Sequence, residues 1–497
     1  MANDIQLGTV VHAWTEVIHP SKRVQKKTMI RLLFLSLLLI APFAAVAQQG
    51  NVPRIESSDC IYKADSLHKT RCGFLIVPEN RQHPQGRTIK LPFIYVESNN
   101  PDKSPDPVLY TGGGPGVSSL HPVTSIARRS LLRNRDYIAF EQRGTHFAQP
   151  NLECEGQGNA IQNAYLEHRS LDDAGLSSVR ECREKLIKEG IDLSAYNTDE
   201  SAADIEDLRR LLHIDSLNLM GISYSGGLMM AVLQKYPEHI RSLILDSPLP
   251  EFVNIDEQEL ANFNEALTSV LGSNDSTLLD RFHTYFSGLG GKVFTINYQL
   301  KDGKTVTMDY GRSELLSILH DKVEDYDGIK EMPQIISDMI DGRQESYVKA
   351  YFDGVFSGSG SISGMRLSVY CSDKMAFEDP AIIKQQETVM PWLAGFHVND
   401  VYGAVCDAWR VKPIDAATKK PYYSDVPVLL GAGGLDDACR PLYNDMIHHY
   451  FPNSQRLLFT KRVHGPLLNS LEGDLYIGEF LNKPRERLQG QQDIEAY

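Results

Sequence analysis

Short runs rich in β-branched and aromatic residues alternate along this chain with stretches of helical period, and that alternation limits the possible folds more than any other feature. GFLIVPEN, IKLPFIYVES, PVLYTGG, DYIAFEQRG, LNLMGIS and RSLILDS read as strands, with ESAADIEDLRRLLH and GGLMMAVLQKYPEH as helices between the later ones. Strands separated by helices run parallel and are covered on both faces, so an α/β fold with a mostly parallel sheet under helices is expected. The rhythm resumes near Asp425 with VPVLLGAGG, RPLYNDMIHHYF, SQRLLFTKRV and PLLNSLEGDLYIGEFL. Between about Pro250 and Ser424 helical patterns dominate, beside a hairpin-like TINYQLKDGKTVTMDY and a Gly/Ser stretch, SGSGSISG, that reads as a linker. The expected organisation is an α/β core over residues 48–249 and 425–497, interrupted by a mainly helical cap over 250–424.

Residues 1–47 stand apart. Lys22, Arg23, Lys26 and Lys27 precede LLFLSLLLIAPFAAVA, which ends on Ala45-Val46-Ala47. A basic stretch, a short apolar run and a small-residue cleavage site read as a secretory signal peptide; a retained membrane anchor is the alternative. Residues 1–28 read as an over-long start, because Met29 alone would begin an ordinary signal. The expected location is periplasmic or extracellular, free of the membrane after cleavage.

The chain carries a formal net charge of −14, and several of its basic residues lie in that leader. An acidic protein repels polyanions, so nucleic acid is not an expected partner. All 7 cysteines follow residue 47. In an oxidising compartment they read first as disulfides, and their spacing suggests Cys60 with Cys72, Cys154 with Cys182 and Cys371 with Cys406, leaving Cys439 free. None has the spacing of a zinc site, so no metal is expected.

NLMGISYSGGLMM holds two serines near a nucleophile-elbow pattern, in which the residues two before and two after the nucleophile must be small. Ser223 lies between Gly221 and Ser225, and Ser225 between Ser223 and Gly227, so sterics admit both. The apolar run Leu217–Met220 ends at Gly221, which puts the turn at Ser223 and Ser225 inside the following helix. Ser223 is therefore the expected nucleophile. A serine needs a base, and the base an orienting acid. Asp436 follows one late strand and His464 the next, in the order serine, acid, histidine; Asp437 is the alternative acid, and His448 and His449 fall within a helical pattern. Backbone N–H donors for an oxyanion are expected from Tyr224 and from Gly113 or Gly114 in TGGGPG.

TGGGPG, EQRGTH at Glu141–His146, GISYSGG, GLDDACRP and the closing VHG, in that order, resemble the motifs of the peptidase family of proline iminopeptidases and secreted tripeptidyl aminopeptidases, family S33. The resemblance extends over nearly all of the chain after the leader, including the late segments SVYCSD and AVCDAW. Gly112 stands where that family usually has His, Glu141 where it has Asp, and Ser225 where it has Gly. The resemblance implies an α/β-hydrolase fold and a secreted serine aminopeptidase, of prolyl or tripeptidyl type, that cleaves short peptides through an acyl-enzyme without a cofactor. Such an enzyme needs a carboxylate for the substrate ammonium. The acids after Pro250 (Glu251 first, then Asp256, Glu257, Glu259 and Glu265) are the candidates. A carboxylesterase or lipase using the same triad is the alternative, and a silent binding module the remaining one.

Overall fold

The computed structural model describes residues 52–272, 276–358 and 360–497; the expected signal peptide lies outside them. Ten strands form one sheet: β1 (Arg54–Ser57), β2 (Thr70–Pro78), β3 (Thr88–Val96), β4 (Val108–Thr111), β5 (Tyr137–Phe140), β6 (Leu217–Ile222), β7 (Ile240–Asp246), β8 (Val428–Gly433), β9 (Ser454–Phe459) and β10 (Ile494–Ala496). Their spatial order is β1-β2-β3-β5-β4-β6-β7-β8-β9-β10. From β5 to β9 neighbours run parallel. The flanking pairs at both edges are antiparallel.

The central strands are apolar throughout because both faces are covered. Leu109, Leu219, Leu243 and Leu430 enter one layer, and Val108, Tyr110, Met220, Ile244 and Leu429 the other. This is the period-2 alternation of a strand expressed twice. The helix Thr198–Leu211 begins where the Asn197 side chain accepts the Glu200 N–H; Asp199 and Glu200 occupy its first turn and Arg209 and Arg210 its last. Those charges oppose the helix dipole at each end.

Between β7 and β8 the described residues add no strand to this sheet. The helices Glu259–Gly272, Arg312–Val323, Met332–Ile340 and Glu345–Val355 instead pack around Phe263, Phe282, Phe286 and Phe352. Phe294–Gln299 and Thr305–Tyr310 form an antiparallel hairpin beside them. The helix Gln157–Leu166, from before residue 250, joins this layer through Tyr165, whose ring meets Phe352 edge-on.

The end of the Gly/Ser stretch, from Ser361, is not a linker. Ser361–Ser363 pairs antiparallel with Glu153–Glu155, and the Ser363 hydroxyl caps the helix Gly364–Val369 by accepting the Arg366 N–H. Ile362 is buried there, and serine is a strong N-cap, so a low-complexity composition hides a capping signal.

Three disulfides join Cys60 to Cys72, Cys154 to Cys182 and Cys371 to Cys406, and Cys439 is free and buried. The second and third enter one apolar cluster with Trp409, tying residues before β6 to those that lead back to β8. Three disulfides fit an oxidising compartment.

Candidate active site

β6 ends at Ile222, the next helix begins at Tyr224, and Ser223 between them has φ 56° and ψ −126°. A non-glycine residue in that region costs on the order of 1–3 kcal/mol and persists only where its surroundings fix it. They do: Ser223 N–H donates to Asp246 O at 3.0 Å, and its carbonyl accepts Gly226 N–H at 2.9 Å and Leu249 N–H at 3.0 Å. Gly221 and Gly227 are required by close approach, since a Cβ would fall 2.5 Å from Ser225 O and 2.3 Å from Leu249 O respectively.

Ser225 lies inside the helix and is buried. Its Oγ accepts the Ile222 N–H at 2.8 Å and sits 2.9 Å from both Thr111 O and Ile222 O. The hydroxyl that departs from the family's usual glycine therefore fastens the ends of β4 and β6 beneath the turn. Ser225→Ala leaves buried backbone groups unpaired, and a loss of about 1–3 kcal/mol is expected in denaturant unfolding. Labelling of Ser223 by a fluorophosphonate should survive that change, because the Ser223 hydroxyl is not the group removed.

His464 follows β9 and Asp436 follows β8. His464 Nδ1 is 2.9 Å from Asp436 Oδ2, while Asp436 Oδ1 accepts the N–H groups of Ala438 at 3.0 Å and Cys439 at 2.8 Å. The pairing at Nδ1 leaves Nε2 as the free ring nitrogen. Burial disfavours the imidazolium, but the Asp436 charge and hydrogen bond outweigh it, and His464 is pushed up to about 9. Asp437 points elsewhere, with Oδ2 3.1 Å from His320 Nε2. His448 sits in the helix Pro441–Tyr450 with Nδ1 2.7 Å from Ser454 Oγ.

Sequence reasoning missed Asp246, the last residue of β7. Its carboxylate accepts Leu467 N–H at 3.1 Å and Leu468 N–H at 2.8 Å, holding the loop that carries His464. Burial pushes its carboxyl up to about 6. An acid closing a central apolar strand was the available signal.

The glycine loop after β4 lies against Ser223: a Cβ on Gly113 would be 3.1 Å from Ser223 Cβ and 2.7 Å from Ile222 O. Gly112 N–H donates to Ser119 Oγ at 2.8 Å, and Arg366 Nη1 donates to Gly114 O at 2.9 Å. Buried Glu141 accepts Ser119 N–H at 2.8 Å and the Ser118 hydroxyl at 3.1 Å, so the longer acid at this position braces the far end of the loop. Tyr224 is the first helical residue, and its N–H has no acceptor within the helix.

Ser223, His464, Gly113 and Gly114 line one cavity of about 620 Å³, which Glu259 and Glu324 also line. Glu251 does not line it. Its Oε2 accepts Lys374 Nζ at 2.9 Å and both side chains are buried, so the acid expected to meet the substrate is neutralised within the protein. Glu259, from the same acidic run, is the first residue of the helix Glu259–Gly272 and faces the cavity, where it accepts Asn399 N–H at 3.2 Å. Burial, with Asp256 beside it, pushes the Glu259 carboxyl well above the usual range. Burial likewise pushes Asp256 up to about 7 and Glu378 up to about 8. Glu324, which caps the C-terminus of the helix Arg312–Val323, and Arg366, within the helix Gly364–Val369, were not anticipated; only the packing of those helices brings them to the cavity.

The family model for the alpha/beta hydrolase fold matches residues 106–350. Carboxylesterase B of Mycobacterium tuberculosis is 26% identical over 269 residues, 49% of this chain and 50% of that protein. The chain thus spans about half the length of that relative. Serine protease Hip1 of Mycobacterium tuberculosis is 19% identical over 393 residues, 72% of this chain and 74% of that protein. The tripeptidyl aminopeptidase of Streptomyces lividans is 23% identical over 209 residues, covering 39% and 38%. Sheet topology and family model agree that this protein has the alpha/beta hydrolase fold.

Proposed function

We propose that the protein is an exported serine aminopeptidase that removes short fragments from peptides with a free amino terminus. The observation that carries this reading is the shared cavity: Ser223 and His464 line the same space as the cap carboxyls Glu259 and Glu324. In the reaction, Ser223 Oγ attacks the scissile carbonyl as His464 Nε2 takes its proton. Tyr224 N–H and Gly113 or Gly114 N–H receive the oxyanion, and His464 then protonates the leaving amine. Water, deprotonated by the same imidazole, releases the acyl group. No step calls for a cofactor.

The cap side supports recognition of an ammonium. Glu259 shares its surroundings with Asp256 and Glu378, and burial and mutual repulsion raise all three even with Arg366 beside Asp256 and Lys419 beside Glu378. A bound ammonium would relieve that repulsion and draw Glu259 into its carboxylate form. Export is supported by the three disulfides and by the leader-like residues 1–47. Similarity to a serine protease and a tripeptidyl aminopeptidase favours a peptide substrate, and similarity to a carboxylesterase keeps an ester substrate as the second reading.

Acetylating the substrate amine removes a charge-assisted contact of about 1.5–3 kcal/mol. The expected result is a fall in kcat/KM of roughly 10- to 150-fold between a free-amine tripeptide anilide and its N-acetyl form. Butyryl and acetyl esters run beside them separate the readings: equal rates on the two anilides with faster ester cleavage would transfer the site to the esterase reading.

A further inference from the structure

We infer that Gln142 is a positioning residue for the oxyanion hole, acting through the Gly112–Gly113 peptide. This rests on the serine-hydrolase reading above and goes beyond it. Gln142 is 2% exposed, two residues past the end of β5, and its Nε2 donates to Gly112 O at 2.6 Å. A carbonyl can only accept, so the amide's NH₂ end must face it. The Gly112 carbonyl and the Gly113 N–H belong to one planar trans peptide and point in opposite directions. Fixing the first fixes the second.

The direction matters at this glycine because of where it lies. Gly113 abuts Ser223, with 3.1 Å between a built Cβ and Ser223 Cβ, and it lines the cavity that holds His464. Without a side chain it has wide backbone freedom, and nothing in its own structure selects the peptide orientation. The next peptide is tied more weakly, by Val117 N–H to Gly113 O at 3.3 Å. The backbone of Gln142 is itself held. Its backbone carbonyl accepts the Thr145 hydroxyl at 2.6 Å, and its neighbour Glu141 anchors Ser118 and Ser119 at the loop's far end. The Glu-Gln pair thus clamps both ends of the loop that supplies the donor, while Gln142 touches neither substrate nor nucleophile.

Two variants test this with a fluorophosphonate, whose P–F bond breaks as Ser223 Oγ bonds to phosphorus and whose P=O oxygen occupies the oxyanion position. Gln142→Met keeps the length of the side chain and removes the donor. Its second-order labelling rate at Ser223 should fall about 10- to 100-fold, short of the full loss of a donor. Gln142→Glu is nearly isosteric. Protonated, it can donate to Gly112 O; ionised, it repels that carbonyl. The ratio of its labelling rate to that of the unsubstituted protein should therefore rise as pH falls, a trend in which the titration of His464 cancels and which a packing role would not produce. Labelling of both variants at the full rate, or a pH-independent ratio for Gln142→Glu, overturns the inference. Absence of Ser223 labelling in the unsubstituted protein overturns it together with the serine reading. Full labelling without discrimination between free and acetylated amines removes only the aminopeptidase reading.

Discussion

Ser223→Ala is expected to abolish turnover, with kcat falling on the order of 10⁶-fold and the fold retained. The magnitude follows from the way a serine–histidine pair acts as a unit: once the nucleophile is gone, the imidazole has no proton to take, and only the oxyanion donors and binding contacts remain. The strained conformation of Ser223 is set by backbone bonds to Asp246, Gly226 and Leu249 and not by its hydroxyl. Alanine at this position keeps those bonds, so an unchanged melting temperature beside lost turnover separates chemistry from folding. Residual activity above about 1% would point to another nucleophile, and Ser225 is too deeply engaged with Ile222 and Thr111 to serve.

Asp436→Asn should lower kcat by roughly 10⁴-fold, because an amide in place of the carboxylate favours the wrong imidazole tautomer and no longer stabilises the imidazolium. It should also move the pH profile. Asp436 holds His464 up to about 9, and the base must be neutral to accept a proton, so kcat/KM of the unsubstituted protein on a neutral ester should climb with pH until about 9. That is well above the imidazole reference of about 6.5. Without the Asp436 carboxylate, burial is opposed only by the charges of Asp246 and Asp437, so the limb moves to the acid side. For a peptide substrate the amine loses its proton near about 8 and adds a descending limb that a neutral ester lacks. Stability follows the same shift: the His464–Asp436 pair stabilises the fold fully below about pH 6.5 and loses that contribution as pH rises through about 9. A profile for Asp436→Asn that falls in rate without moving would indicate that the acid orients His464 but does not set its charge.

The parallel centre of the sheet was legible because each strand there is an apolar run bounded by turn residues, and burial on both faces leaves no other use for such a run. The edges were not. RIES in β1 and IEA in β10 have too few apolar residues to stand out, and they exist because β2 and β9 offer unpaired edges for them to join. Ser361–Ser363 was misread for a related reason: serine signals a loop by composition and a helix cap by position, and only the pairing with Glu153–Glu155 decides between them.

The site divides in the same manner. Ser223, Asp436 and His464 sit at strand ends, where chain position and spatial position coincide, so order along the sequence carries their geometry. Glu251, Glu259 and Glu324 sit on turns and helices of the inserted region, where a carboxylate can face solvent, a lysine or the cavity. Composition identified an acidic run after Pro250 and could not say that Lys374, 123 residues later, takes Glu251 out of use. Asp246 and Gln142 act on the backbone of other loops, and such support leaves no motif of its own.

The most direct test of the account is the location of a covalent adduct. The protein is treated with a fluorophosphonate, digested, and mapped by mass spectrometry, with Ser223→Ala and Ser225→Ala treated in parallel. The account predicts one adduct, on Ser223, present in Ser225→Ala and absent in Ser223→Ala. An adduct on Ser225, or one that persists when Ser223 is replaced, would contradict it.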